Sequence, residues 1–201
     1  MIFRVVVILL VLAGVYASFE IGRFALMFHT LRSTEAAFVI KDKDPDTPSL
    51  ILVEFLDYGC EVCRPVHKAV KDFLEIRPDI KYIARPIVVQ EEGSENLARI
   101  ALAAGLQGNF WALHDAFIGH EGKIDDRFVR ETAGLYGLDY DRLVKESESE
   151  EIKEILEDNK KDALDYGIYS VPTLLLGKTF INNFQKVPTV ADFIRAANEA
   201  S

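Results

Sequence analysis

The feature that most constrains this chain is an apolar, β-forming run that ends in a pair of thiols. Residues 50–67 read LILVEFLDYGCEVCRPVH. The first seven of these, rich in Leu, Ile, Val and Phe, read as a buried strand. A short turn carrying Gly59 leads into Cys60-Glu61-Val62-Cys63, and Val62, Val66, Ala69, Val70 and Phe73 then recur at helical spacing. Strand, dithiol and helix in that order place Cys60 at a helix N-terminus, where unpaired backbone N–H groups and the macrodipole favour a thiolate. Three residues turn a helix by about 300°, so the two sulfurs lie on nearly the same side and within disulfide reach. Cys60 takes most of the dipole and is expected to be the exposed nucleophile, with Cys63 more buried as the resolving thiol.

Both cysteines of the 201-residue chain sit in this motif. No third cysteine exists to build a structural disulfide network or a four-thiolate zinc site. A bridge across two intervening residues would itself stabilise the fold little, so reactive chemistry explains the pair better. His67 lies four residues after Cys63 and completes C-x-x-C-x-x-x-H. Two thiolates and an imidazole suit zinc or copper, which makes a metal-binding or delivery module on Cys60, Cys63 and His67 the rival from another functional class. With no fourth ligand visible, the expectation is no metal and a His67 that lines the groove. The net charge of −9 gains nothing from phosphate backbones and argues against nucleic acid.

The N-terminus reads as an export signal. Arg4 precedes an apolar run over residues 5–19, and Val15 and Ala17 are small residues at the spacing of a signal-peptidase site. The run falls short of the roughly 20 residues of a membrane span. Apolar character resumes after Glu20 and Arg23, so residues 1–30 are a signal peptide or a membrane anchor, and the location is periplasmic or otherwise extracytoplasmic. Residues 31–49 form a leader or linker with a short strand over 38–40 and a charged, proline-bearing loop over 41–48.

The helix after the dithiol should stop near Ile76, before Arg77-Pro78. Residues 80–83, extendable to 89, read as the second strand. Residues 94–165 show no strand pattern, and helices are expected over 94–106, 109–118, 125–136, 140–145 and 150–166, with Asp125, Asp139 and Ser149 as N-caps. A hairpin over 173–181 and a closing helix over 189–198, capped by Thr189, complete the chain. The fold class is α/β, βαβ then ββα, with an all-helical insertion over 94–165 between core segments 50–93 and 166–201.

Three stretches make the chain similar to the thioredoxin superfamily, and within it to the DsbA-like thiol–disulfide oxidoreductases of bacterial envelopes. They are Glu54-Phe55-Leu56-Asp57-Tyr58-Gly59-Cys60 with Cys63, the loop Ser170-Val171-Pro172-Thr173, and Gln107-Gly108-Asn109-Phe110-Trp111-Ala112-Leu113-His114 within the helical stretch. The resemblance implies a thioredoxin fold and an enzyme that exchanges disulfides with exported cysteine-containing proteins, with thiol oxidation as the first reading and disulfide reduction or isomerisation as the alternative. It implies a membrane redox partner, quinone-linked or thiol-donating, and no cofactor beyond the Cys60–Cys63 disulfide. It implies a cis bond before Pro172, with Val171 and Thr173 shaping the substrate contact, and a kink at Pro65.

Glu54 falls where the superfamily keeps a buried acid that moves protons to and from the resolving thiol. Its alternation with Leu52 and Leu56 puts it among apolar neighbours, which would raise its pKa. Between the cysteines the strongly oxidising prototype has proline and histidine, whereas here Glu61 and Val62 stand. Val62 offers the thiolate no side-chain donor. The Glu61 charge at about 6 Å and an effective dielectric near 40 costs roughly 1.4 kcal/mol, a tenfold change in acidity. Glu61, Val62 and His67 are thus the expected tuning residues, and Cys60 should be acidified less than in that prototype.

Overall fold

The computed structural model of the chain describes residues 2–32, 39–40, 50–89, 92–182, 184 and 186–200. Phe38, the charged loop 41–48 and most of the linker expected over 31–49 lie outside these. The chain divides into two units, residues 1–34 and 35–201.

The first unit is one helix, α1 (Ile2–Arg32). It runs unbroken through Glu20 and Arg23, so the span Val5–Arg23 is long and apolar enough to cross a membrane.

The second unit is built on a five-stranded sheet of order β1-β3-β2-β4-β5. Its strands are β1 (Val39–Ile40), β2 (Leu50–Leu56), β3 (Ile80–Pro86), β4 (Thr173–Leu176) and β5 (Thr179–Ile181). β2 and β3 are parallel, joined through α2 (Cys63–Ile76), and the remaining pairs are antiparallel. Every residue of the central strand β2 is buried, which is why its sequence is almost continuously apolar rather than alternating. Leu52 and Leu56 share a core with Val66, Val70 and Phe73 of α2, and Phe73 stacks on Phe193 of α8 (Val190–Ala200) with ring centroids 5.4 Å apart. Arg85 belongs to the opposite face of β3. There it donates to Asn159 (2.9 Å) and Asp162 (3.0 Å) of α7 (Glu150–Asp165).

Between β3 and β4 the chain is helical: α3 (Glu92–Leu106), α4 (Phe110–Gly119), α5 (Asp126–Leu135), α6 (Tyr140–Ser147) and α7. Asp125, Asp139 and Ser149 cap α5, α6 and α7 by accepting N–H bonds from Phe128, Arg142 and Ile152. α3 begins two residues earlier than its apolar pattern indicates. Thr189 and Asp192 cap α8 reciprocally: Asp192 accepts from the Thr189 N–H at 2.9 Å and Thr189 Oγ1 from the Asp192 N–H at 3.3 Å.

One local expectation is corrected. α2 starts at Cys63, not Cys60, because residues 57–63 make successive turns, Cys60 N–H to the Asp57 carbonyl (3.0 Å) and Cys63 N–H to the Cys60 carbonyl (3.1 Å). Pro65 is therefore the third helical residue. The first N–H groups of a helix have no intrahelical acceptor, so a proline there forgoes no bond.

Candidate active site

The dithiol lies where β2 turns into α2. Asp57 builds the turn: its carboxylate accepts from Gly59 N–H at 2.8 Å, from Val89 N–H at 2.7 Å and from the Ser94 hydroxyl. Fully buried, it ties the turn to the segment after β3 and to α3. Tyr58 points inward, with its hydroxyl 2.9 Å from His114 Nδ1.

Both cysteines are free thiols in this structure. Cys60 Sγ accepts from the Cys63 N–H at 3.2 Å. A hydrogen bond from the Cys63 thiol is the strongest influence on it; burial opposes, and the Cys63 and Val62 N–H groups assist. The outcome is a Cys60 thiol pulled down to about 7. The same bond and deeper burial push the Cys63 thiol far up. The negative neighbour that works against the Cys60 thiolate is Asp57; Glu61 points into solvent.

Cys60 is 6% exposed and Cys63 is fully buried, so the expected ranking is right but the expected open nucleophile is not. The Val171 carbonyl, 3.8 Å from the Cys60 sulfur, lies against it. The Val171–Pro172 bond is cis, and Thr173 Oγ1 donates to the Ser170 carbonyl at 2.7 Å within the same loop. Val62 is half exposed beside the pair.

Glu54 is fully buried, as its strand position indicates, but its neighbours are not only apolar. Its Oε2 lies 3.0 Å from His67 Nδ1 and accepts from the Tyr82 hydroxyl at 2.5 Å. The Glu54 charge is among the influences that raise the Cys63 thiol. His67 does not line a groove. Burial alone would drive its imidazole down, but the Glu54 and Asp115 carboxylates outweigh burial and raise it to about 9. The ring therefore carries a proton and forms an ion pair with Glu54. This also removes the proposed ligand set. Among the described residues, Cys60, Cys63 and His67 do not converge; the two ring nitrogens face Glu54 and Asp115. Tyr82, His114 and Asp115 are the residues that local pattern could not find, since each reaches the site from a distant part of the chain. The Phe110–His114 stretch was the one hint.

A family model of the DSBA-like thioredoxin domain matches residues 51–195. Among solved structures, a thioredoxin-like oxidoreductase from Silicibacter pomeroyi DSS-3 superposes with a TM-score of 0.70 at 27% identity, over 83% of this chain and 95% of that one. The thiol-disulfide exchange protein alpha-DsbA2 from Wolbachia pipientis superposes with a TM-score of 0.74 at 20% identity, over 92% and 98% of the two chains. The catalytic domain of Proteus mirabilis ScsC does so at 0.72 and 21%, over 89% and 97%. At those identities the last two show the fold alone. The Na(+)/H(+) antiporter NhaA 1 of Salinispora arenicola is 30% identical over 103 residues, which are 50% of this chain and 16% of the antiporter.

Proposed function

The chain belongs to the DSBA-like thioredoxin domain family of thiol–disulfide oxidoreductases, and from that premise we propose that Cys60 and Cys63 exchange disulfides with exported proteins, in the direction of thiol oxidation. The observation that carries the exchange itself is the Cys60 sulfur, held by the Cys63 N–H at 3.2 Å with the Val171 carbonyl of the cis-proline loop 3.8 Å away.

In the oxidising direction a client thiolate attacks Cys60 Sγ of the disulfide. The S–S bond breaks, and Cys63 leaves with the electron pair and takes a proton from Glu54. A second client thiolate then displaces Cys60, which departs as a thiolate that is half ionised near neutrality. Val171, Pro172 and Thr173 form the loop against which the client backbone lies, and Val62 supplies apolar contact. Two electrons end on the dithiol, and a membrane partner accepts them. The span Val5–Arg23 supports a periplasmic or otherwise extracytoplasmic enzyme, tethered or released after cleavage.

The Cys60 value favours a second reading, reduction or isomerisation. Redox pairs whose nucleophile titrates near about 7 have potentials of about −270 mV, and those near about 3.5 reach about −120 mV. Equilibrating the full chain with glutathione buffers separates the two. A potential less negative than about −200 mV assigns oxidation, and a more negative one assigns reduction or isomerisation. Mass spectrometry of the Cys63→Ser protein from cells tests both, because exchange with clients must leave mixed disulfides on Cys60 and their absence rejects either direction.

A further inference from the structure

A ladder of charged groups runs from the resolving thiol towards the surface. Glu54 is wholly buried, its charge acts on the Cys63 thiol, and its Oε2 lies 3.0 Å from His67 Nδ1. On the other side of the ring, Nε2 faces Asp115 Oδ1 at 3.6 Å. The Asp115 side chain is 35% exposed, and its second oxygen accepts from Lys71 Nζ at 2.5 Å. Every element packed around the ring contributes a titratable group: Cys63 and Lys71 on α2, Glu54 on β2, Tyr82 on β3, and His114 and Asp115 on α4. Tyr58 joins through its bond to His114. Glu54 Oε1, His67 Nε2 and Asp115 Oδ1 are buried with no hydrogen-bond partner among the described residues.

Donor atoms of His67, His114 and Asp115 lie within 4.8 Å of one another, a set that zinc accepts. The charges argue against a metal ion. Glu54 and Asp115 are already balanced by the His67 imidazolium and Lys71, so the site carries no excess negative charge to draw a cation.

We propose that His67 and Asp115 form the proton outlet of this site: when Cys63 gives its proton to Glu54, His67 releases its Nε2 proton past Asp115 to solvent. The inference rests on the disulfide-exchange reading. In the resolving step the Cys63 S–H bond breaks and an O–H bond forms on Glu54, at the unpartnered Oε1. The electron pair on the Cys63 thiolate then forms the Cys60–Cys63 bond as the Cys60–client S–S bond breaks. The client sulfur leaves as a thiolate and is protonated by water. Once that charge has left, a neutral Glu54 beside an imidazolium would strand one buried positive charge, which is strongly unfavourable. The Glu54 carboxylate is the foremost group holding the proton on the ring, so its neutralisation loosens that proton. Oxidation of a client runs the sequence backwards, with His67 taking a proton from solvent as Glu54 gives one to Cys63. His67 touches neither sulfur in this scheme and acts through Glu54 as a positioning residue.

The test uses the reduced full chain with oxidised glutathione as probe, acid-quenched and read by mass spectrometry between pH 6 and 9. It times formation of the glutathione adduct on Cys60 and its conversion to the Cys60–Cys63 disulfide. In His67→Gln, which keeps a donor towards Glu54 but cannot titrate, the ratio of resolution to attack should fall about tenfold and its pH dependence should flatten. Asp115→Asn should lower the same ratio less. A His67→Gln protein with the wild-type ratio and pH slope overturns the proposal. If that variant fails to fold, Asp115→Asn decides, and an unchanged ratio overturns it. A wild-type chain that forms no adduct on Cys60 overturns the disulfide-exchange reading instead, and the outlet with it.

Discussion

Cys60 owes its acidity to the Cys63 thiol and to the main-chain N–H groups of Cys63 and Val62 rather than to any side chain between the two cysteines. A side-chain donor is therefore the missing lever. Val62→His should add a charge-assisted bond of about 1.5–3 kcal/mol to the thiolate and so shift the potential by roughly 30–60 mV in the oxidising direction. Thiolate absorbance at 240 nm and glutathione equilibration read the two effects, and an unchanged Cys60 titration would show that the residue-62 side chain cannot reach the sulfur. In the wild type the titration should centre near 7. Cys63→Ala should move it upward, because the Cys63 thiol is the leading acidifying influence; a downward move contradicts the assignment. The motif itself is legible in the sequence because spacing and strand–turn–helix order are local. The covering of Cys60 is not, because the Val171 carbonyl comes from 111 positions away. Glu54 was legible as a buried acid, but its partners His67 and Tyr82 are joined to it only by tertiary packing, so its polar contacts were not.

α2 is pinned at its first turns by a charge pair as well as by its apolar face, and this gives the helix a pH signature. His67 is raised from its ordinary 6.5 to about 9 in the fold. The corresponding stability, about 3 kcal/mol, is fully present below pH 6.5 and is lost as pH rises through 9. Urea unfolding at pH 6 and pH 10 should show the loss in the wild type and a much smaller one in His67→Gln; equal losses would mean that the pair does not fasten α2 to β2. On the other face of the sheet, Arg85 fastens β3 to α7 through Asn159 and Asp162. Removing one partner of a buried pair costs about 3–5 kcal/mol, so Arg85→Ala should lower the urea midpoint accordingly. A loss under about 1 kcal/mol would show that solvent replaces the contact. Helix order and caps were readable because Asp125, Asp139 and Ser149 act within their own first turns. The start of α2 was misread because apolar spacing counts Val62 into the helix, whereas that side chain is 49% exposed and belongs to the preceding turn.

At the scale of the whole chain, α1 carries the span Val5–Arg23, and its retention can be read directly. A tethered enzyme should stay in the membrane fraction after alkaline carbonate washing, and a processed one should appear soluble and shortened at its N-terminus. The fold class was legible from the order of strands and helices, since βαβ and ββα segments flanking a long helical stretch admit few arrangements. The strand order was not, because β2 lies between β3 and the much later β4, a pairing that no local pattern announces. That late pairing bears on how the protein is made. A chain threaded outward from its N-terminus at about 5–20 residues per second delivers its thiols roughly 6–22 s before the residue that will cover Cys60, given the 111 positions between them. If the chain is exported in that way, the nascent dithiol stands bare on the far side of the membrane for that interval, and its first encounter with an oxidant would precede its own folding.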